Sequence, residues 1–166
     1  MPHLYLLPYI TIGGFVGLLL ASAYSDVKRL IIPNQYTIAI ALLFPAYGLS
    51  SPGSVDWLGS AAVAGGLLAL GFFLFCKKVT GGGDVKLVAA TALWAGPELV
   101  LPFLLFTGIA GGAMAAGIWL RYRLSAAGTP LSFLSVPARK EFYDQPMPYG
   151  VAIAAGGLYV AFTLIS

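Results

Sequence analysis

Uncharged apolar stretches recur along the whole chain, and nothing constrains its folding more. The core of a bilayer takes about 20 apolar residues as helix. Residues 1–25, 30–55, 57–76, 87–97, 99–120 and 145–166 are apolar stretches without a Lys, Arg, Asp or Glu. Their apolarity is continuous rather than periodic at 3.6, as expected where lipid replaces water around a helix. Charged residues make up 9% of the chain and hydrophobic ones 59%, against roughly 25% charged in a soluble domain. That balance excludes both a water-soluble globule and a disordered chain. The reading is all-α: one polytopic membrane domain over residues 1–166, with about six transmembrane helices and no internal repeat or linker.

Placement of the basic residues gives a topology. Lys28 and Arg29 follow the first stretch, and Lys77, Lys78 and Lys86 surround the end of the third. Arg121, Arg123, Arg139 and Lys140 lie before the last. With about six spans, all of them share one face, while the opposite loops hold only Asp56 and Glu98. The positive-inside rule makes the basic face cytoplasmic, with loops at about 25–34, 77–84 and 121–146, and both termini extracytoplasmic. The net charge of +3 is thus a topology signal, and no nucleic-acid partner is expected; the expected surroundings are membrane lipid.

Cys76 and His3 are each the only residue of their kind. One cysteine forms no internal disulfide, and neither residue has the partners a metal site needs; no metal or cofactor is expected. Ala21-Ser22-Ala23 looks like a signal-peptide cleavage site, but no basic region precedes it and the apolar run is too long. The fourth stretch is short: residues 85–96 span about 18 Å as helix, against a core of about 30 Å. Either the helix continues past Pro97, or its start lies below the headgroups, carrying Asp84 inside the membrane boundary.

Two carboxylates, Asp26 and Asp84, sit hard against apolar spans on the basic face. Each has a bland reading. Asp84 follows Gly81-Gly82-Gly83, which breaks the preceding helix, and caps the next one through backbone N–H groups. Asp26 is a solvated interfacial charge screened by Lys28 and Arg29.

Their neighbours favour a catalytic pair. Asp26 opens Asp26-Val-Lys-Arg-Leu-Ile-Ile32-Pro33-Asn34, and Asp84 falls in Gly81-Gly-Gly83-Asp84-Val-Lys86-Leu87. An aspartate six residues before Ile-Pro-Asn, followed by Gly-x-Gly-Asp-x-Lys-Leu, resembles the type IV prepilin peptidases, which are membrane aspartyl proteases. Pro148-Tyr149-Gly150, opening the last span, resembles that family too. The chain lacks room for the cysteine-bearing cytoplasmic insertion of the bifunctional members. It is more similar to the short, peptidase-only enzymes that process Flp-type pilins, so N-methylation is not expected; archaeal preflagellin peptidases are the nearest alternative.

The resemblance implies Asp26 and Asp84 as a catalytic dyad at the cytoplasmic face of the inner membrane. Peptide hydrolysis needs a base for water and an acid for the departing nitrogen. Two carboxylates sharing one proton do both, because ionising both at about 4 Å and an effective dielectric near 20 costs roughly 4 kcal/mol. Asp84 precedes a helix, whose N-terminus favours negative charge, while Asp26 follows one; this assigns Asp84 as base and Asp26 as acid. Gly81 and Gly83 allow close approach of a substrate strand or permit a turn, Pro33 and Asn34 shape the entry to the second span, and Lys86 completes the motif. Glu141 and Asp144 are candidates to attract the basic leader of a prepilin-like substrate, which carries an apolar helix after the cut. The rival readings are a small ion-coupled transporter or channel subunit, and a structural subunit of a pilus or secretion machine. Trp57, Trp94 and Trp119 are expected at the membrane interface or in packing.

Overall fold

The computed structural model describes residues 6–51, 53, 55–126 and 147–166. Among these residues five helices form: α1 Leu7–Arg29, α2 Asn34–Ser50, α3 Trp57–Cys76, α4 Gly82–Ala126 and α5 Tyr149–Ile165. Three stretches, Leu7–Arg29, Trp57–Cys76 and Gly82–Arg121, are long and apolar enough to cross a membrane. α2 and α5, at 17 residues each, stand at the short end of what spans a bilayer. This is an all-helical membrane protein.

Local chemistry fixes the helix ends. Leu30 closes α1 in the left-handed region at φ 54, its N–H bonded to the Asp26 carbonyl at 2.8 Å. Pro33 then stands extended just before α2, where its fixed φ starts the next helix. Asp56 caps α3, its carboxylate accepting from the Gly59 N–H at 2.8 Å. The reversal between α3 and α4 turns at Lys78, φ 59, rather than at the glycine triplet. Gly82 and Gly83 lie inside α4, whose first-turn N–H groups have no helical partners in any case. The expected break at Gly81-Gly82-Gly83 therefore moves upstream.

The short fourth stretch resolves in the same way. α4 begins at Gly82, before the expected residue 85, and is interrupted at Gly96 (φ 60, ψ −172). Only glycine adopts that conformation without strain. The two arms, 82–95 and 97–126, fold back on each other: Thr91 on one abuts Gly157 and Phe103 on the other abuts Gly156, neighbours on α5. The expected fourth and fifth spans are thus two arms of a helical hairpin.

Contacts give each helix its direction. α1 and α5 run antiparallel, with Asp26 against Gly150 and Leu19 against Gly157. α2 runs with the first arm of α4, pairing Asn34 with Lys86 and Ile40 with Trp94. α3 runs against that arm, Gly71 meeting Val85 and Ser60 meeting Gly96. The ends of α1 and α3, the starts of α2 and α5, and the start of α4 therefore share one end of the bundle. Trp94 organises the middle: it is buried, stacks on Phe15 at 4.4 Å, and donates its indole N–H to the Ile40 carbonyl at 2.9 Å. Trp57 packs edge-on against Phe44, while Trp119 is exposed beneath the Arg123 guanidinium.

A candidate active site at one end of the bundle

Asp26 is 5% exposed, although it lies in the last turns of a helix flanked by Lys28 and Arg29. Lys28 is turned to the other side of the helix, over the Tyr24 ring at 4.7 Å, and Arg29 is exposed at the helix end. The solvated-charge reading of Asp26 fails for this reason: its side chain points inward, toward α5. There Oδ2 accepts the backbone N–H of Gly150 at 2.7 Å. Gly150 lies in the first turn of α5, where amides lack helical partners and the helix dipole favours an anion.

Asp84 is half-buried in the first turn of α4. Its carboxylate reaches back to the backbone amide of Gly81, the residue preceding the helix. This is the return half of a capping box, with the acid three residues after the cap position. Capping and catalysis are thus compatible for this residue. The Asp26 carboxylate lies close enough for its charge to act on Asp84, although the two are on different helices. Both acids therefore meet a helix N-terminus, Asp84 its own and Asp26 that of α5. The electrostatic difference that made Asp84 the base and Asp26 the acid disappears with this arrangement.

The other residues of the two motifs join around the pair. Ile32, buried beside Pro33, takes up the open side of Gly83, its Cβ 3.1 Å from where a Gly83 side chain would begin. Gly83 is thus a packing glycine. Gly81 is exposed, with Asp84 Oδ2 2.8 Å from the same point. Lys86 Nζ donates to Asn34 Oδ1 at 3.0 Å, linking the start of α2 to that of α4. Glu141 and Asp144 lie outside the described residues. Gly150 is the contact that sequence reasoning did not single out as a site residue, although Pro148-Tyr149-Gly150 marked its position. Among the described residues, no three His, Cys, Asp or Glu side chains gather as a metal site would require.

The description of the type IV leader peptidase family matches residues 14–116, which include both aspartates. Among curated proteins, the chain is 28% identical over 148 residues to the prepilin leader peptidase/N-methyltransferase of Bacillus subtilis, covering 87% of this chain and 52% of that protein. The enzyme of the same name from Burkholderia pseudomallei strain 1026b is 26% identical over 159 residues, covering 90% of this chain and 45% of its own. The prepilin peptidase EppA of Methanothermobacter thermautotrophicus is 37% identical over 82 residues, 46% of this chain and 21% of that one. The chain spans about half the length of the bacterial relatives it matches. No solved structure matches it. Both acid-bearing motifs fall inside the family match, and the chain belongs to the type IV leader peptidase family.

Proposed function

We propose that this chain is an aspartyl endopeptidase of the inner membrane that removes the leader of type IV prepilin-like substrates, with Asp26 and Asp84 as the catalytic pair. The observation that carries the reading is the meeting of two carboxylates from separate helices at one end of an apolar bundle, each on a backbone amide. A water between them loses a proton to one carboxylate as it attacks the scissile carbonyl. The other donates its proton to the carbonyl oxygen to give a tetrahedral gem-diol and takes a hydroxyl proton back as this collapses, while the first carboxylate passes the water's proton to the departing nitrogen. The Gly150 N–H holds Oδ2 of Asp26, which leaves Oδ1 to face the water. Which aspartate acts as base is a property of the pair and its shared proton.

The same reading makes the aspartate end of the bundle cytoplasmic, with about six passes and both termini outside. Lys28, Arg29, Lys77, Lys78 and Lys86 all lie at that end and Asp56 and Glu98 at the other, the bias expected of an inward face. A substrate helix in the bilayer presents its leader junction at this level. Cys76, the only cysteine and exposed at the end of α3, supplies a native probe. A membrane-impermeant maleimide should label it in inside-out vesicles and not in intact spheroplasts. The reverse pattern would invert the topology.

Substrate choice follows from the similarity to short, peptidase-only members: Flp-type prepilins, cut without methylation of the new amino terminus. Glu141 and Asp144 supply negative charge for a basic leader. Reversing both charges should raise KM severalfold with kcat little changed; unchanged kinetics would remove them from the site. The deciding experiment is co-expression with an Flp-type prepilin, read as a mobility shift on a gel and by mass spectrometry of the mature terminus. Cleavage leaving an unmethylated terminus is expected. A methylated terminus would overturn the peptidase-only reading, and absence of cleavage across Flp-type, other bacterial and archaeal substrates would favour the transport or assembly readings.

A further inference from the structure

A groove of about 460 Å³ runs between α2 and α3 with the first arm of α4 as its floor. α2 and α3 touch near one end, where Trp57 meets Phe44 and Gly48. α3 otherwise packs on α4, and α2 on α1 and α4, so that the groove lies between α2 and α3. Its wall is apolar along Ala41, Gly65 and Leu93, while the end nearest Asp84 carries Asn34 and Lys86. Lys86 spends one N–H on Asn34 Oδ1, which leaves the rest of its ammonium and the Asn34 NH₂ as donors. A lysine ammonium and an amide NH₂ at the mouth, with a largely apolar wall beyond, suit a ligand with several acceptor oxygens on a hydrocarbon body.

We propose that this groove binds one anionic phospholipid, its phosphate on Lys86 and Asn34 and an acyl chain along Ala41, Gly65 and Leu93. Charge complementarity selects the headgroup, since a lysine at the cytoplasmic edge of a span attracts anionic lipid. The lining selects the body: beyond Asn34, Thr37 and Lys86 every residue on the groove wall is apolar, Ile38, Ala64 and Leu68 among them, and a hydrocarbon chain asks no hydrogen-bond partner of such a wall. This inference rests on the cytoplasmic placement of the Lys86 end, which follows from the basic residues there, and not on cleavage.

The test is native mass spectrometry of the purified full chain after delipidation in an equimolar mixture of phosphatidylglycerol and phosphatidylcholine. Wild type should retain one phosphatidylglycerol in preference to phosphatidylcholine. Lys86→Gln should reduce that preference roughly five- to tenfold, while Lys78→Gln, exposed on the same face but off the groove, should keep it. Gly65→Leu should lose the bound lipid; a Cβ at Gly65 meets nothing within 4 Å, so the new side chain fills the groove without disturbing the helices. Equal retention of the two lipids by wild type, undiminished selectivity in Lys86→Gln, or full loading of Gly65→Leu would each overturn the proposal. So would preferential retention of an apolar helical peptide carrying a single carboxylate, which would make the groove a peptide seat.

Discussion

Asp26→Asn and Asp84→Asn should each lower prepilin cleavage about a thousandfold or more, with the double variant no worse than either single one. Loss of a general acid or base typically costs 10²–10⁴-fold. Where two groups share one proton, the second removal takes away a function already lost, so the effects do not add. Asparagine is nearly isosteric with aspartate, and at position 26 its carbonyl oxygen can still accept the Gly150 N–H that Oδ2 now accepts. The fold should therefore persist, checked as unchanged membrane levels by immunoblot. An amide neither takes a proton from water nor gives one to a leaving nitrogen. The profile of kcat/KM against pH in the wild type should be bell-shaped, with two ionisations that belong to the pair. Cleavage surviving either substitution at more than a tenth of the wild-type rate would sink the two-aspartate mechanism. A full thousandfold loss in one and none in the other would point to a single carboxylate acting with another group.

Much of this arrangement was legible because charge marks the limits of apolar helices. Asp56 and Lys77 bracket α3, which runs Trp57–Cys76 just as the uncharged stretch does. The fourth stretch was read to residue 96, and the backbone breaks at Gly96. The two acid-bearing motifs stood out as patterns of neighbouring residues. What the sequence could not supply was the rotation of helices about their axes. Lys28 and Arg29 are close to Asp26 in the chain yet exposed where it is buried, so proximity along the chain suggested a screened surface charge. The Asp26–Gly150 contact joins residues 124 apart, and Lys86–Asn34 joins residues 52 apart. Such pairs follow from the packing of four helices, and periodicity was of little help where apolar residues cover every side. The glycine triplet misled for a related reason. Glycine signals a break only where the backbone needs freedom, and Gly83 instead lies inside α4 under the close approach of Ile32.

The contact that was hardest to foresee carries the second large effect. Gly150→Ala should reduce kcat roughly 10- to 100-fold with KM little altered. A Cβ at position 150 would stand 2.9 Å from Asp26 Oδ2 and 3.0 Å from Asp26 Cβ, closer than real side chains tolerate. Asp26 is short and fixed to α1, whose Leu30 cap closes on the Asp26 carbonyl. Either its carboxylate rotates off the Gly150 amide or α5 moves outward, and both displace it from the place beside Asp84 that the proposed mechanism requires. A hydrogen bond to a charged group contributes about 1.5–3 kcal/mol, and that range converts to the stated fold-change in rate. Alanine is a better helix former than glycine, so a general loss of helix stability is not the cause to expect. Gly13→Ala on α1 separates the two explanations: a Cβ there meets nothing within 4 Å, and its cleavage should match the wild type. If Gly150→Ala also matches the wild type, the amide of α5 does not set the position of Asp26. The pair would then have to be aligned by the substrate itself, whose binding would do the work assigned here to the helix.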